Sequence, residues 1–196
     1  MSCFEDLPLS PTQVSSFSLG MMKNIPQKLY VASIRTILIE VIDKSYAWGF
    51  FDGSAAGEPI ACGAGGMLFL SDVHCFSFKA GLGASTNNFA ELCALKLLLT
   101  LARRKSLDKI QILGDSQLVI NWAFGKYILM NLELSMILQE VHRLIDCFDY
   151  VVLKHIYQER NSYADVLAKA GGSISEGSWS IKEHRDDAVV ETYQVF

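Results

Sequence analysis

Apolar positions along the chain change their period several times, and each change marks an element. Trp48-Gly49-Phe50-Phe51 is a short apolar run that stops at Asp52-Gly53-Ser54, which predicts a strand followed by a turn. Cys62 to Leu70 is glycine-rich and then apolar, Ser71-Asp72 reads as a hairpin turn, and Val73 to Phe78 alternates, so a three-strand antiparallel meander is expected. Phe89, Leu92, Leu95, Leu98, Leu99 and Ala102 then recur at helical spacing. Lys109–Leu113 predicts a strand, Ser116–Phe124 a helix, and Asn131 caps another helix with Leu134, Ile137, Leu138 and Val141 on one face. Tyr150–Leu153 predicts the last strand, and Asn161–Ala170 a final helix closed by Gly171-Gly172. The order β-β-β-α-β-α-α-β-α implies an α/β fold: a mixed sheet, part meander and part parallel, with helices against its faces.

The ends lack this regularity. Residues 1–45 read as an arm of uncertain structure in which Leu29–Ile42 is β-branched enough for a strand, residues 46–172 form the domain, and 173–196 read as an acidic tail. Val189, Val190, Tyr193, Val195 and Phe196 give that tail something to dock with. Of the net charge of −4, most lies in the tail, which has 2 basic and 5 acidic residues against 11 and 12 in the domain. That balance excludes a nucleic-acid binder working by bulk positive charge. The five cysteines are odd in number and contain no Cys-x-x-Cys pair, which argues against a zinc ribbon or disulfide framework. With no basic-then-apolar leader, an intracellular protein, nuclear or cytoplasmic, without a membrane partner and monomeric, is expected.

Four acids stand at element ends. Asp52 ends the first expected strand, Asp115 follows the fourth, Glu91 lies in the first turn of the long helix and Asp165 in the first turn of the last. Neighbouring strands that end on one side gather such residues at one sheet edge. Grouped carboxylates repel unless a cation intervenes, and oxygen-only donors favour Mg²⁺, with Mn²⁺ as substitute. Each acid also has a plain alternative: Asn88-Phe89-Ala90-Glu91 suits a capping box, Asp115 or Ser116 suits an N-cap, Asp165 complements a helix N-terminus, and Asp52-Gly53 is ordinary turn chemistry.

The segments around these acids, Phe51-Asp52-Gly53-Ser54, Thr86-Asn87-Asn88-Phe89-Ala90-Glu91-Leu92, Gly114-Asp115-Ser116-Gln117 and Arg160-Asn161-Ser162-Tyr163-Ala164-Asp165, resemble type 1 ribonuclease H. The likeness is nearest to the ribonuclease-H-like domain of plant non-LTR retroelements and of stand-alone proteins derived from them, and it runs from about Tyr46 to Gly172. The resemblance implies a five-stranded mixed sheet and metal-dependent endonucleolytic cleavage of the RNA strand of an RNA–DNA hybrid. It carries the family's four catalytic, metal-binding acids onto Asp52, Glu91, Asp115 and Asp165, with two Mg²⁺ ions. It also implies substrate contacts from Gly53, Ser54, Asn87, Asn88 and Gln117.

Two departures lower the expected affinity: Glu58-Pro59-Ile60 puts an acid near a phosphate path, and Gly125–Ile128 has one base and no tryptophan-rich basic extension. A module that keeps the acids and binds nucleic acid or protein without turnover is the competing reading. The Gly63–Gly66 run precedes no helix and is no phosphate loop; close strand packing explains it better. His155, ten residues before Asp165, suits a mobile catalytic histidine, yet Leu153–Tyr157 alternates as a strand that would hold it in place.

Overall fold

The computed structural model describes residues 42–186 and 188–195. The Leu29–Ile42 strand expectation therefore falls outside the described residues, apart from Ile42, which belongs to no element. The elements are β1 (Ala47–Ala56), β2 (Ala61–Ser71), β3 (His74–Gly83), α1 (Asn87–Arg104), β4 (Lys109–Gly114), α2 (Gln117–Ala123), α3 (Leu132–Ile145), β5 (Tyr150–His155), a 3₁₀ turn (Gln158–Arg160), α4 (Ser162–Gly171), β6 (Trp179–Arg185) and β7 (Ala188–Val195).

All strands share one sheet in the order β5-β4-β1-β2-β3-β6-β7. β1–β4–β5 pair in parallel, and β1–β2–β3–β6–β7 pair antiparallel. The expected mixed sheet is present with seven strands instead of five. The extra two come from 179–195, so the sheet does not stop at Gly172. A serine-rich, acidic segment carries few apolar residues, but Trp179 and Ile181 alternate inward and join the core with Phe78. Of the described acids in this segment, Glu176, Asp186 and Glu191 are exposed and Glu183 is paired with His74 and Arg185, which is why the segment reads as a tail in sequence.

Helices cover both faces. The inward stripe of α1, including Leu92, Leu95, Leu98 and Leu99, is fully buried against the sheet with Phe51, Ile110 and Ile112. On the other face, α4 lies directly on β2: a Cβ at Gly63 or Gly65 would run into the α4 backbone at Ala168 and Leu167. Gly63 and Gly65 thus admit a helix rather than a strand, while a Cβ at Gly66 would meet Phe50 and Phe78 of the neighbouring strands, as close strand packing predicts. Before β1, the Asp43 carbonyl accepts from Gln111 Nε2 at 3.0 Å, which satisfies an amide otherwise buried in β4. Among the described residues no helix is long and apolar enough to cross a membrane, and no disulfide links the four described cysteines.

Candidate active site

The site arises where two ladders part. The parallel pairing of β1 with β4 ends at Phe50 and Leu113, while β1 continues through Ala56, still paired with β2. Asp52 therefore sits inside a strand, opposite Gly65, and does not end one as the Asp-Gly pair suggests. Past Leu113 the β4 chain turns away into α2, and the notch between β1 and β4 opens at Asp115. Ligand crevices in α/β sheets form at such divergences.

Glu91 lies two residues deeper in α1 than the sequence predicts, past the first turn, because Thr86, not Asn88, caps the helix: Thr86 Oγ1 accepts from Phe89 N at 3.3 Å. Freed from capping, Glu91 faces the sheet over Gly53. That approach requires glycine, since a Cβ at Gly53 would overlap the Glu91 backbone nitrogen. Asp115 is likewise free of a capping role, which Ser116 fills by accepting from Val119 N at 3.4 Å.

These placements bring ligand atoms of Asp52, Glu91 and Asp115 within 4.8 Å of one another. Asp52 and Glu91 are each only 5% exposed. Burial, then repulsion from neighbouring carboxylates, drives both carboxyls well above their ordinary range; for Asp52 the neighbours are Asp115 and Asp165, for Glu91 they are Asp52 and Asp115. Their mutual hydrogen bond pulls Asp52 down and pushes Glu91 up, as expected of two carboxyls sharing one proton. Glu91 Oε2 is buried without a hydrogen-bond partner. An all-oxygen donor set, crowded charge and an orphaned buried acceptor together fit a hard divalent cation.

Asp165 stands at the rim. Its Oδ2 accepts from Lys169 Nζ at 2.7 Å, one turn along α4. An open polar cavity of about 420 Å³ is lined by Asp52, Gly53, Ser54, Asn87, Glu91, Asp115 and Asp165. Two expected contact residues are not among its lining: Asn88 is exposed on the first turn of α1, and Gln117 donates to Asn121 Oδ1 at 3.2 Å along α2.

Five residues of the site escape sequence reading. Ala55, Ser116, Gln158 and Lys169 line the cavity; of these only Lys169 had a signal, its i+4 spacing from Asp165. The fifth is Asn161. It occupies the N-cap position of α4 yet makes no cap hydrogen bond. Instead it is 1% exposed, and its Nδ2 donates to the Phe51 carbonyl at 2.8 Å and to Asp115 Oδ1 at 3.1 Å. One amide thus fixes the start of α4 to β1 and orients the Asp115 carboxylate. His155 is the last residue of β5, with Nε2 3.1 Å from the Asp115 carbonyl and its ring edge-on to Tyr157. The strand is two residues shorter than the alternation to Tyr157 predicts, but it does include His155.

The sequence profile of the reverse transcriptase-like family matches residues 50–171. Ribonuclease HI of Halobacterium salinarum is 31% identical over 120 residues, which are 61% of this chain and 60% of that protein. An Arabidopsis thaliana protein named for ribonuclease H is 28% identical over 127 residues, 64% of this chain and 20% of the relative. The chain thus spans well under two thirds of these relatives' lengths. The crystal structure of the H. salinarum ribonuclease H1 superposes with a TM-score of 0.60 at 29% identity, covering 65% of this chain and 97% of that one. LC11 ribonuclease H1, whose structure is a complex with an RNA/DNA hybrid, shares the fold at 24% identity with a TM-score of 0.57, covering 64% of this chain and 96% of that one. The notch of buried acids, the mixed sheet around it and these matches place the chain in the reverse transcriptase-like family, on the fold of the type 1 ribonucleases H.

Proposed function

We propose that this protein is a metal-dependent endonuclease that hydrolyses the RNA strand of RNA–DNA hybrids. The observation that carries the reading is the carboxylate trio, two of whose members, Asp52 and Glu91, are buried, and in which Glu91 Oε2 has no partner among the described residues although its neighbours are also acidic. A fold does not retain so costly an arrangement for stability. Asp52, Glu91 and Asp115 would hold divalent metal, with Asp165 as the fourth ligand from the rim; two Mg²⁺ ions, or Mn²⁺ in their place, are the proposed occupants. When bound, such ions supply Lewis acidity at the scissile phosphate and make an attacking water more acidic.

The chain's own residues contribute position. Asn161 holds Asp115 in one orientation, and Gly53 donates its backbone N–H to the acids. Ser54 and Asn87, on the cavity rim, present polar groups to the 2′-hydroxyls of a shallow minor groove, which distinguish RNA from DNA. Asn88 and Gln117 remain proposed contacts further along the hybrid.

The competing reading, a binding module without turnover, has one observation in its favour: Lys169 occupies Asp165 at 2.7 Å. Incubation with labelled RNA–DNA hybrid, duplex DNA and single-stranded RNA, each with Mg²⁺ or with EDTA, separates the two. The enzyme reading expects cleavage of hybrid RNA alone, and only with metal. Hybrid bound but uncut in Mg²⁺ would establish the module instead.

A further inference from the structure

β6 and β7 lie beyond the residues that the family profile matches, and they build a second cavity. It has a volume of about 280 Å³ and lies between α4 and the β3–β6–β7 part of the sheet. Its floor is polar and basic: Lys79 and Lys182 border Ser77 and His184, whose Oγ and Nε2 are 2.8 Å apart, and Ser180, which accepts from Gln194. Its wall is apolar, made by Val166, Leu167 and Ala170 of α4 with Val189 of β7. Among the described residues no Asp or Glu lines it.

That is unusual in a chain carrying a net charge of −4. Lys44, Lys96, Arg103, Lys169 and Arg185 all pair with carboxylates. Among the described residues neither Lys79 nor Lys182 has an ion-pair or hydrogen-bond partner. Two unneutralised ammonium groups over a floor of hydroxyls and an imidazole, with no acid among the described lining residues, complement an anion.

Position says which anion. Asp52, Gly65, Lys79 and Ser180 are successive partners across the sheet, so Asp52 and Lys79 project from the same face. They are two strands apart, about 10 Å at ordinary strand spacing, or the rise of about three nucleotides along one strand of a duplex. α4 lies between them and borders both sites: Asp165 and Lys169 line the acid cavity, Val166 and Ala170 the basic one. A polyanion engaged at the acids therefore has a second anchorage within a few nucleotides.

We propose that the cavity formed by α4 and β3–β6–β7 binds the phosphate backbone of a nucleic-acid strand, through Lys79 and Lys182. This rests on the reading of the acid site as a nuclease. It also supplies positive charge that the stretch between α2 and α3 does not, since Gly125–Ile128 holds only Lys126.

The test is a salt titration of hybrid binding in EDTA with the full chain, comparing wild type, Lys79→Gln/Lys182→Gln, and a control pair, Lys109→Gln/Arg143→Gln, that removes the same charge elsewhere. Two lost phosphate contacts should shrink the loss of affinity between 50 and 200 mM salt by about tenfold. The control should match wild type in salt dependence and, within about twofold, in cleavage at saturating hybrid. An unchanged salt dependence in the Lys79/Lys182 variant, or an equal change in the control, overturns the inference even if hybrid is cleaved. Binding without cleavage, with the salt dependence still reduced only by Lys79 and Lys182, upholds it while removing the nuclease reading. Wild type that binds neither hybrid nor single-stranded DNA overturns both. A titration with inorganic phosphate alone that saturates wild type at micromolar concentration, with hybrid failing to compete, also overturns it, because the cavity then takes a small anion.

Discussion

The two sides of this sheet place polar groups by opposite rules. At the notch between β1 and β4, Asp52 and Glu91 are buried with like charges, and Glu91 Oε2 has no partner. On β6, Glu183 is equally buried, at 8% exposure, but is satisfied: His74 Nε2 lies 2.9 Å from its Oε1 and Arg185 donates to the same oxygen at 3.0 Å. Tyr193 adds a donor at 3.4 Å. A neutralised buried acid costs the fold little, whereas a crowded, orphaned one costs it much. The contrast separates an acid that the fold neutralises from acids that it leaves crowded.

The largest effect should come from removing the structural side. Deleting residues 173–196 takes Trp179 and Ile181 out of the core and uncovers Phe78. The shortened chain should lose its cooperative thermal transition, and Trp179→Ala alone should cost about 3–5 kcal/mol, as for other buried tryptophans. A truncated protein with an unchanged midpoint would make β6 and β7 an appendage and erase the comparison.

Asn161→Ala comes next, because Asn161 joins the two demands. It leaves the buried Phe51 carbonyl without its donor, at about 1–3 kcal/mol, and releases Asp115. Hybrid cleavage should fall by at least about a hundredfold, in the range of a lost positioned group, with hybrid affinity nearly unchanged. A fall in affinity with unaltered turnover would remove Asn161 from the alignment of the acids.

A smaller effect concerns stability against pH. Asp52 and Glu91 hold protons more tightly in the folded chain than in the unfolded one. Their contribution is therefore complete below the ordinary carboxylate range of about 4 and is lost as pH rises toward the raised folded values. In EDTA the thermal midpoint should decline across that interval, and Mg²⁺ should reverse the decline. Glu91→Gln should flatten the slope and raise the neutral-pH midpoint, with a gain in stability of about 1–3 kcal/mol if one uncompensated buried group is relieved. A midpoint that rises with pH in EDTA would mean that the trio is not mutually repelling.

His155→Ala should do least. Its imidazole is held at the end of β5 against the Asp115 carbonyl and Tyr157, so cleavage should change by less than about tenfold, below the usual range for a positioned acid or base. A hundredfold loss with unchanged midpoint would make it catalytic.

Legibility follows the same division. The acid edge could be read from sequence because its residues lie within regular elements whose periods are strong, and because each acid carries local neighbours. Position within the element was less legible: Asp-Gly reads as a turn, yet β2 supplies partners out to Ala61 and keeps β1 extended through Ala56. Asn161 reads as a cap because capping is local, while its actual partners, Phe51 and Asp115, are 110 and 46 residues away. β6 and β7 were hidden for a related reason. Their stability comes from docking on β3, and a segment with buried Glu183 and few apolar residues shows its logic only once His74 and Arg185 are beside it.

The central claim is that the buried acids serve catalysis at the expense of stability, and Asp115→Asn tests it most directly through paired measurement of hybrid cleavage in Mg²⁺ and thermal midpoint in EDTA. Asparagine keeps an oxygen for the Asn161 donor while removing one charge from the cluster. Cleavage should be abolished, and the midpoint in EDTA should be equal to or above that of wild type. Wild-type cleavage, or a midpoint lowered by several degrees, would instead make Asp115 a structural residue and contradict the account.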